Sequence, residues 1–164
     1  MSRKVSRMSR VSAQLSRIMA RETAFKALFQ LEFNFAAEGE DNTAYEDLAI
    51  ETMIEDAEFL TEGDDPRKLT EEDLLYVKET VKGTRAHLNE IDEIISARLK
   101  QGWQLSRLMA ADRNILRLAV YEMRFVEPPL PKNIAINEAV ELAKKYGTDD
   151  SSRFVNGILE AISK

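Results

Sequence analysis

The sequence predicts an all-α fold, because helical spacing is the only regular pattern that the chain shows. Apolar residues recur at three- and four-residue steps over most of its length, which is the spacing of one helix face. No run alternates apolar and polar residues in the manner of a half-buried strand. Clusters of turn residues such as "EGDDPRK", "QGW" and "EPPLP" separate the helical patterns, and proline in particular cannot continue a helix.

Length and composition limit the classes of protein to which the chain can belong. The 164 residues suit one domain, or two small subdomains sharing a core, and 44% of them are apolar. The chain has no cysteine, so it has no disulfide framework and no thiolate metal site, which fits a cytoplasmic protein. It has neither 18 consecutive apolar residues nor the apolar core of a secretory leader. Neither a membrane span nor a signal peptide is therefore predicted.

Charge is unevenly distributed along a chain whose formal net charge is −6. Residues 1–26 carry seven basic residues and one acid, whereas residues 38–66 carry twelve acids and no Lys or Arg. The basic arm indicates either an anionic partner, with nucleic acid first, or a solvated leader. The acidic run is more typical of a solvated loop. Residues 1–13 are rich in Ser and Arg, and we expect a disordered leader there before a helical domain over 14–164.

The first helix is expected from about Ser12 to Phe35, and it carries two apolar stripes. One stripe consists of Ala20, Ala24, Ala27, Leu28 and Leu31, and the other of Phe25, Phe29 and Phe33. A simple surface helix needs only one such stripe. The helix is therefore either buried on most sides, which is the commoner case, or uses its Phe stripe to meet a partner.

The middle of the chain shows a weak and then a strong helical pattern. Residues 45–60 show the weak one. Thr70 is a good N-cap with Asp73 three residues on, and the apolar series that follows runs to Leu99. It predicts one long helix or two collinear ones, with Gly83 at a bend or at a close helix crossing.

Three further helices are expected in the C-terminal part. A pattern that begins at Leu105 has apolar residues on most sides, which predicts a buried central helix. The next helix ends at Gly147, the natural residue type just after a helix C-terminus. The last covers about 154–162. It contains Gly157, which we attribute to close packing, because Gly inside a helix costs about 1 kcal/mol relative to Ala.

The sequence indicates no catalytic, metal or cofactor site. His87 is the only histidine, and an exposed helix histidine is the expected role. No phosphate-binding glycine loop occurs. Asp149 and Asp150 are adjacent, so on a helix they point about 100° apart. They lie where a helix begins, a position at which acids are favourable.

Four segments in order resemble the NusB family of bacterial transcription antitermination factors. They are "ARETAFKALFQ" (20–30), "DRNILRLAVYEM" (112–123), "IAINEAVELAKKYG" (134–147) and "DDSSRFVNGIL" (149–159). The resemblance runs from about Arg17 to Ile162. It is weak over residues 38–69, where the chain is longer than typical members and carries what we interpret as an acidic insertion.

The resemblance implies both a fold and a function. Members have about seven helices arranged as two small bundles. They bind boxA RNA of ribosomal-RNA leader transcripts together with NusE, a ribosomal protein, within the antitermination complex of RNA polymerase. Some members form homodimers that mask the RNA surface. The chain would then be a non-catalytic RNA-binding factor that supports processive transcription of rRNA operons.

Site residues are carried over from the family position by position. The residues that match positions associated with boxA RNA are Arg17, Arg21, Asp150, Ser151, Arg153 and Phe154. Of the family's arginine-rich opening, Ile18 and Met19 do not match, which weakens the charge there. Phe29 and Asp112 match positions associated with NusE contact, and Phe25, on the same stripe as Phe29, joins them as a candidate.

Two other classes of function remain open from the residues. NusB-like domains also head certain ribosomal-RNA cytosine methyltransferases, but such an enzyme needs a cofactor-binding α/β domain, and no strand pattern occurs here. A protein-only adaptor would use the acidic region and the Phe stripe as docking surfaces. Titration of boxA RNA against a scrambled RNA, with and without NusE, separates the adaptor from the RNA-binding factor.

Overall fold

The computed structural model describes residues 3–34 and 41–164, which form helices joined by turns, with no strand in these ranges. The α-helices are α1 (Arg3–Leu31), α2 (Thr43–Leu60), α3 (Glu71–Ala86), α4 (Leu88–Ser96), α5 (Ala110–Arg124), α6 (Lys132–Tyr146) and α7 (Ser151–Ile162). A short 3-10 helix, Leu105–Arg107, precedes α5. The predicted all-α fold is confirmed. In the described ranges, no helix combines the length and the apolar character that a membrane crossing needs.

The chain divides into two compact units, Met1–Val81 and Lys82–Lys164, with the boundary inside α3. In the first unit, α1 packs against α2, and buried alanines and leucines of α1 face buried Ala49, Ile50 and Ala57 of α2. In the second unit, α5 packs against α4, α6 and α7. Most of its residues are buried, as expected of the central helix.

Local capping explains where two of the helices begin. Before α3, the Thr70 hydroxyl accepts the Asp73 N–H at 3.2 Å, and an Asp73 oxygen accepts the Thr70 N–H at 3.0 Å. This reciprocal pair is a capping box with Asp in place of the usual Glu, and it confirms the expected start. Before α2, an Asp41 oxygen accepts the Thr43 N–H at 2.9 Å and its hydroxyl at 2.6 Å.

The first helix is longer at its N-terminal end than the sequence predicted. We expected a disordered leader over residues 1–13, but the structure places residues 3–13 in α1; residues 1 and 2 lie outside the described part. The segment Arg3–Leu31 contains neither Gly nor Pro, so nothing in it breaks a helix that is already held by packing farther along. At the other end α1 stops at Leu31, and Phe35 lies outside the described residues.

The long apolar series from 74 to 99 forms two helices, which separate at His87. Gly83 does not cause that separation. A Cβ at Gly83 would collide with the ring and hydroxyl of Tyr121 on α5, so this glycine allows a close helix approach, which was one of its two expected roles. The turn expected at "QGW" is present, and Gly102 has a φ of +88° that favours glycine.

Two glycines near the C-terminus have roles other than those we expected. Gly147 follows α6 as predicted, but its φ of −96° is open to any residue type. Glycine is needed there because a Cβ would collide with the Ser151 side chain and lie 2.8 Å from the Ala143 carbonyl oxygen. The prediction of close packing at Gly157 is wrong, since a Cβ there would meet nothing within 4 Å.

Candidate nucleic-acid interface

The turn from α6 into α7 is held by short backbone and hydroxyl hydrogen bonds. The Gly147 N–H donates to the Ala143 carbonyl at 2.9 Å and closes α6. The Thr148 N–H donates to the Ser151 hydroxyl at 2.9 Å, and the Ser151 N–H donates to the Thr148 carbonyl at 3.0 Å. Ser151 is buried, so its hydroxyl shapes the turn rather than facing solvent.

Three predicted RNA-binding residues lie at the start of α7, directly after this turn. Asp150 is exposed at the N-cap of α7, and its side chain makes no capping hydrogen bond. Arg153 is exposed, and Phe154 is half-buried. The first N–H groups of any helix lack intrahelical partners and favour anions. This surface therefore combines a site for phosphate, a guanidinium, a carboxylate that can accept bonds from base amino groups, and part of an aromatic face.

Trp103 extends the aromatic part of this surface, and the sequence alone did not indicate it. The ring centroids of Trp103 and Phe154 lie 6.0 Å apart with 30° between their planes, within the range of offset aromatic pairs. Trp103 remains 54% exposed. In the sequence it is a lone aromatic residue in a turn, and only the fold brings it to α7.

Arg17 and Arg21 occupy a different environment in the first unit. The Arg17 guanidinium donates from Nε to Asp73 at 2.9 Å and lies 4.2 Å from the centroid of the Tyr76 ring. Arg21 is buried, and its guanidinium lies 5.6 Å from the same centroid. Both arginines therefore hold α1 against α3. Tyr76, which the sequence did not single out, is the residue that they share.

Asp73 is the centre of this cluster of charges. Its side chain is only 3% exposed. Burial raises the pKa of Asp73, but hydrogen bonds from Thr70, Ser16 and Arg17 outweigh that effect and hold the pKa below its ordinary value. The carboxylate is thus charged at neutral pH, and the side chain of Arg17 that pairs with it is about one-third exposed.

The Phe stripe passes from the core along α1 to the surface, and its last member, Phe33, lies in the turn after α1 ends at Leu31. Phe25 is buried, Phe29 is 37% exposed and Phe33 is 64% exposed. Successive rings are in contact, with centroids 6.2 Å apart for the first pair and 5.3 Å apart for the second. Phe25 belongs to the core, as expected of a largely buried helix, while Phe29 and Phe33 present an apolar surface. Contact of that surface with a partner stays a prediction.

Asp112, the remaining candidate for partner contact, is buried in the first turn of α5 and is 7% exposed. Its Oδ1 has no hydrogen-bond partner among the described residues. Acids are favourable at this end of a helix, which suits a structural position. In the same ranges, no group of three or more His, Asp and Glu side chains is arranged to hold a metal ion.

Comparison with known proteins decides the family. The model of the NusB family matches residues 19–164. The chain belongs to the NusB family. The expectation drawn from the four sequence segments is thereby confirmed. The family is one of transcription antitermination factors rather than enzymes, in agreement with the prediction of a non-catalytic protein.

Individual NusB proteins match nearly the whole chain. The transcription antitermination protein NusB of Bdellovibrio bacteriovorus is 42% identical over 149 residues, covering 91% of this chain and 96% of that protein. The structure of Thermotoga maritima NusB superposes with a TM-score of 0.69 at 36% identity, covering 90% and 89% of the two chains. A crystal structure of antitermination factors NusB and NusE in complex with double-stranded RNA gives a TM-score of 0.67 at 29% identity, covering 90% and 95%.

Proposed function

We propose that this protein is an RNA-binding transcription antitermination factor that binds boxA RNA of ribosomal-RNA leader transcripts together with NusE. In this role it supports processive transcription of rRNA operons as part of the antitermination complex of RNA polymerase. Membership of the NusB family supports the proposal, as does the likeness to a structure that contains NusB, NusE and RNA.

The start of α7 is the observation that carries the RNA-binding part of the proposal. Arg153 is exposed beside a helix N-terminus, next to the half-buried ring of Phe154. We assign direct RNA contact to Asp150, Arg153 and Phe154. Ser151 contributes by fixing the turn through its bond with the Thr148 N–H.

In the first unit, about one-third of the Arg17 side chain is exposed and remains accessible to phosphate, while buried Arg21 lies beside the same Tyr76 ring. This division predicts a weaker RNA contribution from α1 than from α7. Phosphate contacts by arginine release counterions and make affinity dependent on salt.

We assign contact with NusE to the exposed end of the Phe stripe. Phe29 and Phe33 form a contiguous aromatic surface supported from below by buried Phe25. Exposed aromatic clusters of this kind often anchor protein interfaces. Asp112 is buried, so its part in the NusE interaction is to support α5 rather than to offer an open contact.

Titration of labelled boxA RNA against a scrambled RNA of equal length, with and without NusE, tests the proposal. We expect preferential binding of boxA that NusE strengthens. A NusE-dependent complex that forms without any preference for RNA sequence would instead support the protein-only adaptor. Binding of neither RNA in either condition would reject the RNA-binding function.

The substitution Phe29→Asp tests the assignment of the partner surface. It places a charge in the aromatic surface, and loss of an interface anchor costs about 2 kcal/mol or more, so we expect NusE binding to fall at least about 30-fold. Calorimetric titration measures this change, and circular dichroism checks that the variant stays folded. Phe33→Ala, four residues farther along the same surface, removes one ring without adding a charge and should lower NusE affinity by less. Unchanged NusE affinity in folded Phe29→Asp would contradict the assignment.

A further inference from the structure

We propose that Trp103, supported by Phe154 and flanked by Gln104 and Arg107, is a stacking site for one unpaired base of the bound RNA. The inference rests on the proposed RNA-binding function. It adds a subsite in the turn between α4 and α5, which lies outside the segments that indicated the family.

The turn holds a large apolar side chain in an exposed position. Gly102 adopts a φ of +88°, and the Trp103 N–H donates to the Lys100 carbonyl at 2.9 Å. The indole that follows is 54% exposed, although removal of a tryptophan side chain from water is strongly favourable. A tight turn thus holds this ring in an exposed position.

Phe154 supports the indole from the side of α7. A separation of 6.0 Å and an angle of 30° between the rings describe an offset pair that leaves much of the indole uncovered. Single-stranded RNA is commonly recognised by stacking an unpaired base on an aromatic face. Phe154 is then a positioning residue for Trp103 as well as a contact in its own right.

The shape and charge beside Trp103 suit a nucleotide. A surface pocket of about 300 Å³ is lined by Gly102, Trp103, Gln104, Arg107 and Leu108, at the lower end of the volumes typical of small-ligand sites. The Gln104 amide can pair with a base edge, and exposed Arg107 can meet a phosphate. The stretch 97–108, "ARLKQGWQLSRL", carries three basic residues and no acid in a chain of net charge −6.

The pocket is held in shape before any ligand binds. Arg113, at the start of α5, donates from one guanidinium nitrogen to the carbonyls of Leu105 at 3.1 Å, Ser106 at 3.4 Å and Leu108 at 2.7 Å. These bonds fix the 3-10 turn that carries Arg107. A preformed site loses less conformational freedom on binding than a flexible loop would.

Trp103 is the only tryptophan in the chain, which makes a direct test possible. The full chain labelled with 5-fluorotryptophan gives one fluorine NMR signal, and unlabelled NusE contributes none. Titration with boxA RNA, alone and with NusE, should shift or broaden that signal, saturating at the concentration where the anisotropy of a labelled RNA saturates. Replacing bases one at a time with abasic sites should identify one position that removes the effect.

Variants provide the second readout. Base stacking on an aromatic side chain is worth about 1–3 kcal/mol, so Trp103→Leu should weaken RNA binding about 5- to 150-fold. Trp103→Phe should restore most of the affinity, and the melting temperature should stay unchanged in both. Phe59→Leu, which alters another exposed aromatic residue in α2, is the matched control and should leave RNA affinity intact.

The outcomes separate this inference from the function on which it rests. If RNA binds while the fluorine signal stays still and Trp103→Leu keeps full affinity, the subsite is wrong and the RNA-binding function stands. If the signal responds to NusE without RNA, Trp103 is a protein contact and the subsite is again wrong. If no RNA binds to the unaltered protein, both proposals fail.

Discussion

Arginines in the two units meet different surroundings, although the family resemblance assigns them the same task. In α1, Arg17 pairs with buried Asp73 and stacks on Tyr76. In α7, Arg153 is exposed and forms no ion pair within the described residues. An arginine in a nucleic-acid motif can therefore be held by contacts within the fold or remain accessible to the ligand. Only its neighbours in space decide between the two.

Asp73→Ala should lower the stability of the fold the most, because Asp73 joins the cap of α3 to Arg17 of α1. It removes the reciprocal cap of α3, usually worth about 0.5–2 kcal/mol, and a hydrogen bond to a charged group, worth about 1.5–3 kcal/mol. We expect the free energy of unfolding to fall by about 2–4 kcal/mol, measured by urea denaturation followed by circular dichroism. Glu72→Ala, its exposed neighbour, should change stability by less than about 0.5 kcal/mol. Equal effects of the two substitutions would show that the hydrogen bonds of Asp73 do not stabilise the fold.

Substitution of two glycines near the C-terminus tests how closely the chain is packed around α7. Gly147→Ala places a Cβ against Ser151 and the Ala143 carbonyl, and overpacking of this kind costs about 1–3 kcal/mol. Gly157→Ala meets open space and should stabilise the helix by about 1 kcal/mol. Thermal unfolding of the two variants should therefore shift in opposite directions. Stabilisation by Gly147→Ala would contradict the close packing of the turn, and destabilisation by Gly157→Ala would contradict the open space described at that position.

The pH dependence of stability provides a smaller test of the α1 cluster. The pKa of Asp73 is lower in the folded protein than in the unfolded chain, so its charged form contributes stability at neutral pH. That contribution is lost as the pH falls below about 4 and through the lower folded pKa. Between about pH 5 and pH 2, the urea midpoint should therefore fall less steeply for Asp73→Asn than for the unaltered protein. Parallel curves would show that Asp73 is not coupled to folding.

Much of the fold could be predicted from the sequence because its signals are local. The capping pair Thr70 and Asp73, the proline cluster after α5 and the spacing of apolar residues all act within a few positions along the chain. The prediction was wrong in one place. The low apolar content of residues 1–13 indicated a disordered leader, but the described part of this segment contains no Gly or Pro that would stop α1. Composition alone could not show that a packed helix would extend through it.

The candidate site could be predicted only in part, because exposure and pairing depend on contacts between distant residues. The sequence identified the start of α7 but could not show that Ser151 is buried against Thr148. It offered no sign that Trp103 meets Phe154, 51 positions later, or that Arg17 meets Asp73, 56 positions later. Gly157 is the reverse case, where a general cost of helical glycine predicted a close neighbour that the structure does not contain.

The salt dependence of boxA affinity in Arg153→Ala and Arg17→Ala is the most direct test of whether Arg153 contacts RNA while Arg17 mainly stabilises the fold. Arg153→Ala should lower the slope of log affinity against log salt by about 1 and leave the free energy of unfolding unchanged. Arg17→Ala should mainly lower the free energy of unfolding, by about 1–2 kcal/mol, with a smaller change in slope. If Arg17→Ala instead changed the slope more while Arg153→Ala destabilised the fold, the assignment of α7 as the main RNA surface would be contradicted.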